Sequence, residues 1–164
     1  MALNYSTKST LACTSFNSLA SSTTTGVASS AVATTDTSNN IVDAIVQIKI
    51  AGAAHTPSAT TNVLVWVIGS MDGTNFAGAQ SGSVEDFNDG DAAETIDVDG
   101  NNMNYLGSIH MHTASVDMLS KPFSIAAAFG GVMPAKWAII IQNQTGSNLA
   151  ASGHEVGYRY AYYN

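Results

Sequence analysis

The stretch Lys121–Gly146, KPFSIAAAFGGVMPAKWAIIIQNQTG, decides how this chain is read. It opens with Pro122 behind a lysine, breaks at Gly130-Gly131 and at Pro134, then runs into Trp137-Ala-Ile-Ile-Ile-Gln142. A short, almost uncharged run of β-branched and aromatic residues bounded by Pro and Gly predicts a strand buried on both faces. No other stretch joins a tryptophan to three consecutive isoleucines. Trp137–Gln142 is therefore the expected central strand, with Trp137, Ile139 and Ile141 in the core. The piece before it, Phe123 to Phe129, fits one helical turn or a second strand, and periodicity does not separate the two.

Working outward, Val63-Leu-Val-Trp-Val-Ile68 is a second unbroken apolar run, and its Trp66 is expected to share that core. It leads into Gly69-Ser-Met-Asp-Gly-Thr-Asn-Phe76, where Asp72-Gly73 marks a turn because glycine accepts positive φ without a Cβ clash. Ile41–Ala51 alternates: Val42, Ala44, Val46, Ile48 and Ile50 form one face, while Asp43, Gln47 and Lys49 point the other way. Ile45 is the exception, and the pattern is that of a half-buried strand. Tyr105–His112 alternates again, and Val156, Tyr158, Tyr160 and Tyr162 fall on one face at period two. Seven or eight strands, no helix of ten residues and no internal repeat are expected.

Residues 77–104 are acidic and rich in Gly and Asn, with Glu85, Asp86, Asp89, Asp91, Glu94, Asp97 and Asp99 close together and no positive charge among them. Such a run repels itself and stays solvated, leaving room for at most a brief strand at Thr95–Val98. Within it, Asp97-Val-Asp99-Gly-Asn101 sets oxygen ligands at alternate positions around a glycine, as calcium loops do. The bidentate Glu of a full loop and flanking helices are both missing, so Asp97, Asp99 and Asn101 are calcium candidates against a solvated-loop reading.

Residues 1–38 are dominated by Ser, Thr and Ala with isolated apolar residues. They read as an arm with edge strands near Leu11–Leu19 and Gly26–Thr34, beside a sandwich domain over 39–164. The arm holds too few apolar residues for a core of its own. Leu3, Leu11, Phe16 and Leu19 are accordingly the expected contacts with a neighbouring subunit.

The chain has 164 residues, the length of one domain, and one cysteine, which rules out an intramolecular disulfide. Charged residues make up 10% of it, against an average of about 25%. A surface this poor in charge is expected to be covered by other subunits, whereas a free monomer ordinarily carries more charge for solubility. Net charge −7 with five basic residues argues against nucleic-acid binding, for lack of a patch to displace counterions. No apolar run approaches the roughly 18 residues of a membrane span, and no signal-peptide core is visible. Nucleophile elbow, P-loop, dinucleotide and zinc-protease motifs are missing, so no enzyme and no cofactor is expected. His110-Met-His112 places two imidazoles on one strand face with no evident third metal ligand.

With these residues in hand, the chain resembles small β-sandwich structural proteins of tailed-bacteriophage virions. The resemblance runs through the Ser/Thr-rich arm, Asn39–Ile50, Val65–Phe76, Lys121–Trp137 and the tyrosine-rich end. It implies an all-β, jelly-roll-like antiparallel sandwich, made in the host cytoplasm and repeated in many copies on the virion. The implied role is capsid decoration or cement, otherwise a collar or tail part. The implied partners are copies of itself and other virion proteins such as the major capsid protein, with no nucleic acid or membrane. The turn at Gly69–Asn75 is also similar to that of discoidin-like carbohydrate-binding modules, which leaves host attachment through a glycan as the alternative.

Overall fold

A computed structural model describes residues 2–34, 40–58, 60–74, 76, 91, 93–95 and 103–164. The strands are, in chain order, β1 (Leu3–Tyr5), β2 (Ser9–Leu11), β3 (Thr25–Ala28), β4 (Val32–Ala33), β5 (Asn40–Ile50) and β6 (Asn62–Ser70). They continue as β7 (Ala93–Thr95), β8 (Asn104–His110), β9 (Met118–Leu119), β10 (Phe123–Ser124), β11 (Lys136–Gln144) and β12 (Glu155–Tyr163). All pairings among them are antiparallel, and they form two sheets. The protein is an all-β sandwich.

The first sheet is built on β12 and β5, with β1 and β2 along the free side of β12 and β9 and β10 along the free side of β5. The second runs β7-β3-β11-β6-β8, with β4 also on β11. Period-two geometry then decides what faces what. Ala44, Val46, Ile48 and Ile50 of β5 meet Val63, Val65 and Val67 of β6 and Trp137, Ile139 and Ile141 of β11 in one buried cluster between the sheets. The intervening residues Ala138 and Ile140 of β11 lie on the outer face of the second sheet, with Ala28, Ile68 and Phe76. Strand β11 is thus buried on both faces, as its composition predicts.

The same alternation corrects the expectation for Trp66. Val63, Val65 and Val67 point inward, so Trp66 points outward, where it is only partly buried beside Ile68 and Ile140 and leans on Tyr105 at 5.6 Å. An unbroken apolar run hides its own phase, and Trp66 is not part of the inter-sheet core.

The N-terminal segment carries strands where they were expected near Gly26–Thr34, but it is built into both sheets rather than lying on them as an arm. Strands β3 and β4 are paired to the central β11, and β1 and β2 to the central β12. Ser29, at the break between β3 and β4, keeps the ladder closed with both its backbone and its hydroxyl. Its N–H donates to the Ile139 carbonyl at 2.8 Å, and the Ile139 N–H donates to Ser29 Oγ at 3.1 Å. Buried Asn143 donates from Nδ2 to the Leu19 carbonyl at 2.8 Å and to the Ser147 carbonyl at 2.7 Å. Leu11 and Phe16 are buried in the inter-sheet cluster and Leu19 packs against it. Leu11 and Phe16 are thus taken up by the core of their own chain and Leu19 is half-buried against it; of the four, only Leu3 is exposed. The boundary at 38/39 therefore separates no independent body.

Phe123–Phe129 proves to be both things its sequence allowed. Phe123 and Ser124 pair with Val46 and Ile45, and a single helical turn follows at Ile125–Ala128. The Ser124 hydroxyl caps that turn by accepting from the Ala127 N–H at 3.0 Å.

Candidate functional site: a cation-lined groove on the first sheet

The inward residues of β5 and β12 build the core, so their partners at period two face solvent on the other side of the first sheet. The register sets Lys49 opposite Glu155, Gln47 opposite Gly157 and Ile45 opposite Arg159. Chain from β1 and from the connection to β2 rises along one margin, carrying Tyr5 and Lys8, while Leu119 and Pro122 close the other. Together they bound an open groove of about 550 Å³.

Gly157 shapes its floor. A Cβ there would come within 2.5 Å of Lys8 Cε, so the missing side chain is what lets the lysine lie across β12. Lys8 pairs with Glu155, and Lys49 Nζ lies 3.5 Å from Asp117 Oδ2. Arg159 is exposed and makes no ion pair among the described residues. Exposed pairs of this kind contribute about 0–1 kcal/mol each, so their weight lies in where they place charge rather than in stability. Three of the chain's five basic residues line this one groove. A fourth, Lys121, adjoins its Pro122 wall, with Nζ 5.8 Å from the centroid of the Phe123 ring. On a chain of net charge −7, the groove thus sets three basic residues against one lining carboxylate, Glu155, with Asp117 paired to Lys49.

Chemically, the groove offers ammonium and guanidinium donors, the Gln47 amide, and the exposed Tyr5 ring and Leu119 side chain. Two of these cations are already matched by the carboxylates of Glu155 and Asp117, which leaves the Arg159 guanidinium without an ion pair among the described residues.

Trp137, Ile139 and Ile141 are placed in the core and away from the groove. The calcium candidates Asp97, Asp99 and Asn101 lie outside the described residues. Asp91, nearby in sequence, accepts bonds from the N–H and hydroxyl of Thr14 and, at 2.7 Å, from the N–H of Ser15. Partial burial pushes its carboxyl up, but the bonds from Ser15 and Thr14 outweigh burial and hold it below the usual range. His110 and His112 stack with ring centroids 5.8 Å apart. Among the described residues no group of three or more His, Cys, Asp or Glu is placed to hold a metal ion. No helix among them is long and apolar enough to cross a membrane.

The groove was missed from sequence because its cations are scattered over positions 8, 49 and 159. The available signal was the alternation Glu155-x-Gly157-x-Arg159 against Gln47-x-Lys49, which marks a polar outer face without saying that the two strands are neighbours. Compared with known proteins, the chain matches no protein family, no curated sequence and no solved structure.

Proposed function

We propose that this chain is a structural component of a bacteriophage virion, set on the particle in many copies as a capsid decoration or cement protein. The observation that carries the reading is the distribution of exposed apolar side chains on a surface poor in charge. Met71, 69% exposed, and Val132, 59% exposed, lie in the turns leading out of β6 and into β11. Leu119, 65% exposed, stands at the groove on the first sheet, and Tyr105 lies on β8 at the margin of the second. Single exposed apolar residues are ordinary, but several large ones on separate faces suit a subunit with several neighbours. A collar or tail position would use the same surfaces.

The groove favours one rival, a carbohydrate-binding module acting in host attachment, because an exposed tyrosine beside amide and cationic donors is also a sugar-binding chemistry. The test is co-sedimentation of the full-length chain with phage particles assembled without it, run beside a glycan array. Saturable loading at a fixed ratio to the capsid protein is the expected result. Glycan binding with no uptake by particles would replace this reading with its rival.

A further inference from the structure

The chain has four histidines, and two of them, His110 and His112, stand at the end of β8. Alternation decides where their rings go. Ile109 and Met111 are buried between the sheets, so His110 and His112 lie on the opposite, outer side of the second sheet, both exposed. The rings are 25° from parallel, with centroids 5.8 Å apart.

Each ring is held by its inner nitrogen. His110 Nδ1 lies 3.3 Å from Oδ1 of Asn62, the residue directly across the β6–β8 ladder, and His112 Nδ1 lies 3.3 Å from the His110 carbonyl. Both partners are oxygens that only accept, so each ring donates from Nδ1 and keeps its lone pair on Nε2. Neither Nε2 has a hydrogen-bond partner among the described residues. An Nδ1–H fixed on an amide or carbonyl oxygen is the support that readies a histidine to bind a metal through Nε2. The other two histidines are spent on the backbone. His55 has its two nitrogens 3.0 and 2.7 Å from the Ala53 and Met111 carbonyls, and His154 lies between the Ala51 N–H and the Ala150 carbonyl.

We propose that His110 and His112 form a two-histidine site for a late first-row transition ion, copper(II) foremost, bound through the two Nε2 atoms with water completing its shell. The inference does not depend on the particle role. A metal about 2.1 Å from each nitrogen at a near-tetrahedral angle sets the ring centroids roughly 5 Å apart. The rings stand at 5.8 Å, so a small turn of two exposed side chains closes the site. Imidazole suits copper, nickel and zinc, while magnesium and calcium want oxygen ligands. Net charge −7 favours uptake of a cation. Since no third His, Cys, Asp or Glu joins the pair among the described residues, the ion keeps open positions, and the site exchanges its metal rather than holding the fold together. Asn62 is the positioning residue.

The experiment is calorimetric titration of copper(II), zinc and magnesium chlorides into the untagged full-length chain, with circular dichroism to confirm folding. One copper per chain is expected, with zinc weaker and magnesium giving no binding. His110→Gln and His112→Gln should each weaken copper at least about tenfold, and Asn62→Ala, which keeps both ligands, by about tenfold. Paramagnetic resonance of the copper-loaded chain supplies a second measurement: nitrogen splitting from two imidazoles in wild type, and from one in either histidine variant. Copper affinity unchanged in the His110→Gln, His112→Gln double variant would overturn the proposal. So would loss of affinity in only one of the single variants, or a one-nitrogen signal in wild type, since either means a lone imidazole and no chelate.

Discussion

The indole of Trp137 meets the ring of Tyr158 edge-on, with centroids 5.4 Å apart and planes at 88°. Tyr158 stands in the same way against Tyr160, at 5.3 Å and 71°. One residue belongs to the central strand of the second sheet and two to the central strand of the first, so this row of rings joins the two layers of the sandwich. Edge-to-face pairs add about 0.5–1.5 kcal/mol beyond the area they bury.

Truncating Trp137 should therefore be among the most damaging single changes in the chain. Trp137→Ala is expected to cost about 3–5 kcal/mol, as removal of a fully buried aromatic does. Trp66→Ala, on the partly exposed outer face, should cost less than half of that. Urea titration of both variants checks the pair, and equal losses would mean that Trp66 contributes to the core as Trp137 does.

Tyr160 donates from its hydroxyl to the Ala33 carbonyl at 3.0 Å. Trp137 Nε1 and Thr34 Oγ1 are its neighbours, both buried and neither in a well-formed hydrogen bond. Burial, reinforced by Tyr158, pushes the Tyr160 phenol up to about 12. Because the folded value lies above the ordinary 10.0, the unfolded chain releases its proton first. The stabilisation is complete below that ordinary value and is lost as pH rises toward the folded one. Tyr160→Phe should be less stable near neutrality through the lost hydrogen bond, yet show a flatter decline in alkali. Melting temperatures of both proteins across this range decide it; parallel curves would remove Tyr160 as the cause.

His154 gives the opposite slope. Its Nδ1 accepts from the Ala51 N–H at 3.1 Å and its Nε2 lies 2.9 Å from the Ala150 carbonyl, so the neutral ring ties the end of β5 to the chain before β12. Burial lowers its pKa from 6.5, nearby Lys49 lowers it further, and the Ala150 carbonyl and Asp117 oppose them. As pH falls below 6.5 the unfolded chain takes up the proton first, so stability drops until the folded value is passed. The melting temperature should decline from about pH 7 to pH 5, and His154→Gln should reduce that decline. An identical decline in the variant would assign it to carboxylates instead.

Two glycines with close neighbours should behave differently. A Cβ on Gly52 would lie 2.4 Å from the backbone of Ser115 and Val116, which cannot move aside, whereas on Gly157 it meets the mobile end of Lys8. Gly52→Ala should cost about 1–3 kcal/mol through forced backbone shifts. Gly157→Ala should leave stability nearly unchanged while displacing Lys8 from Glu155. Thermal melts of both variants test the contrast, and equal shifts would contradict it.

Strand identity was legible wherever one face is wet. The residues of β5 announce their phase, because Gln47 and Lys49 cannot sit between the sheets while Val46 and Ile48 can. Phase was illegible in β6, where Leu64, Trp66 and Ile68 are as apolar as the valines between them and the outer face is covered in turn by Phe76. The N-terminal segment was misread for a related reason. A polar stretch with scattered large apolar residues looks incapable of a core, but Leu11 and Phe16 need only complete a core that later strands supply. The groove was invisible because strand neighbours are set by topology, and only the β5–β12 register brings Lys49 to Glu155 and places Arg159 beside Ile45.

That misreading yields the last prediction. An arm that merely reaches a neighbour could be removed without loss of the fold, but residues 2–20 are part of the sandwich. Deleting residues 1–20 strips β1 and β2 from β12, exposing backbone donors and acceptors along a central strand that would become an edge. It empties the space filled by Leu11 and Phe16, which are 6% and 0% exposed, and buried side chains of this size cost about 2–5 kcal/mol each when removed. It also breaks the bonds from Asn143 to the Leu19 carbonyl and from Ser15 Oγ to the Ala28 carbonyl. Those losses together approach the whole stability of a domain, about 5–15 kcal/mol. The truncated chain should therefore be insoluble, or lack a cooperative melt by circular dichroism and calorimetry. A subtler cut, deleting residues 1–5, removes only β1 and exposed Leu3 and should lower the melting temperature while leaving a cooperative transition. A truncation at residue 20 that still melts cooperatively at the wild-type temperature would show that the segment is an appendage after all.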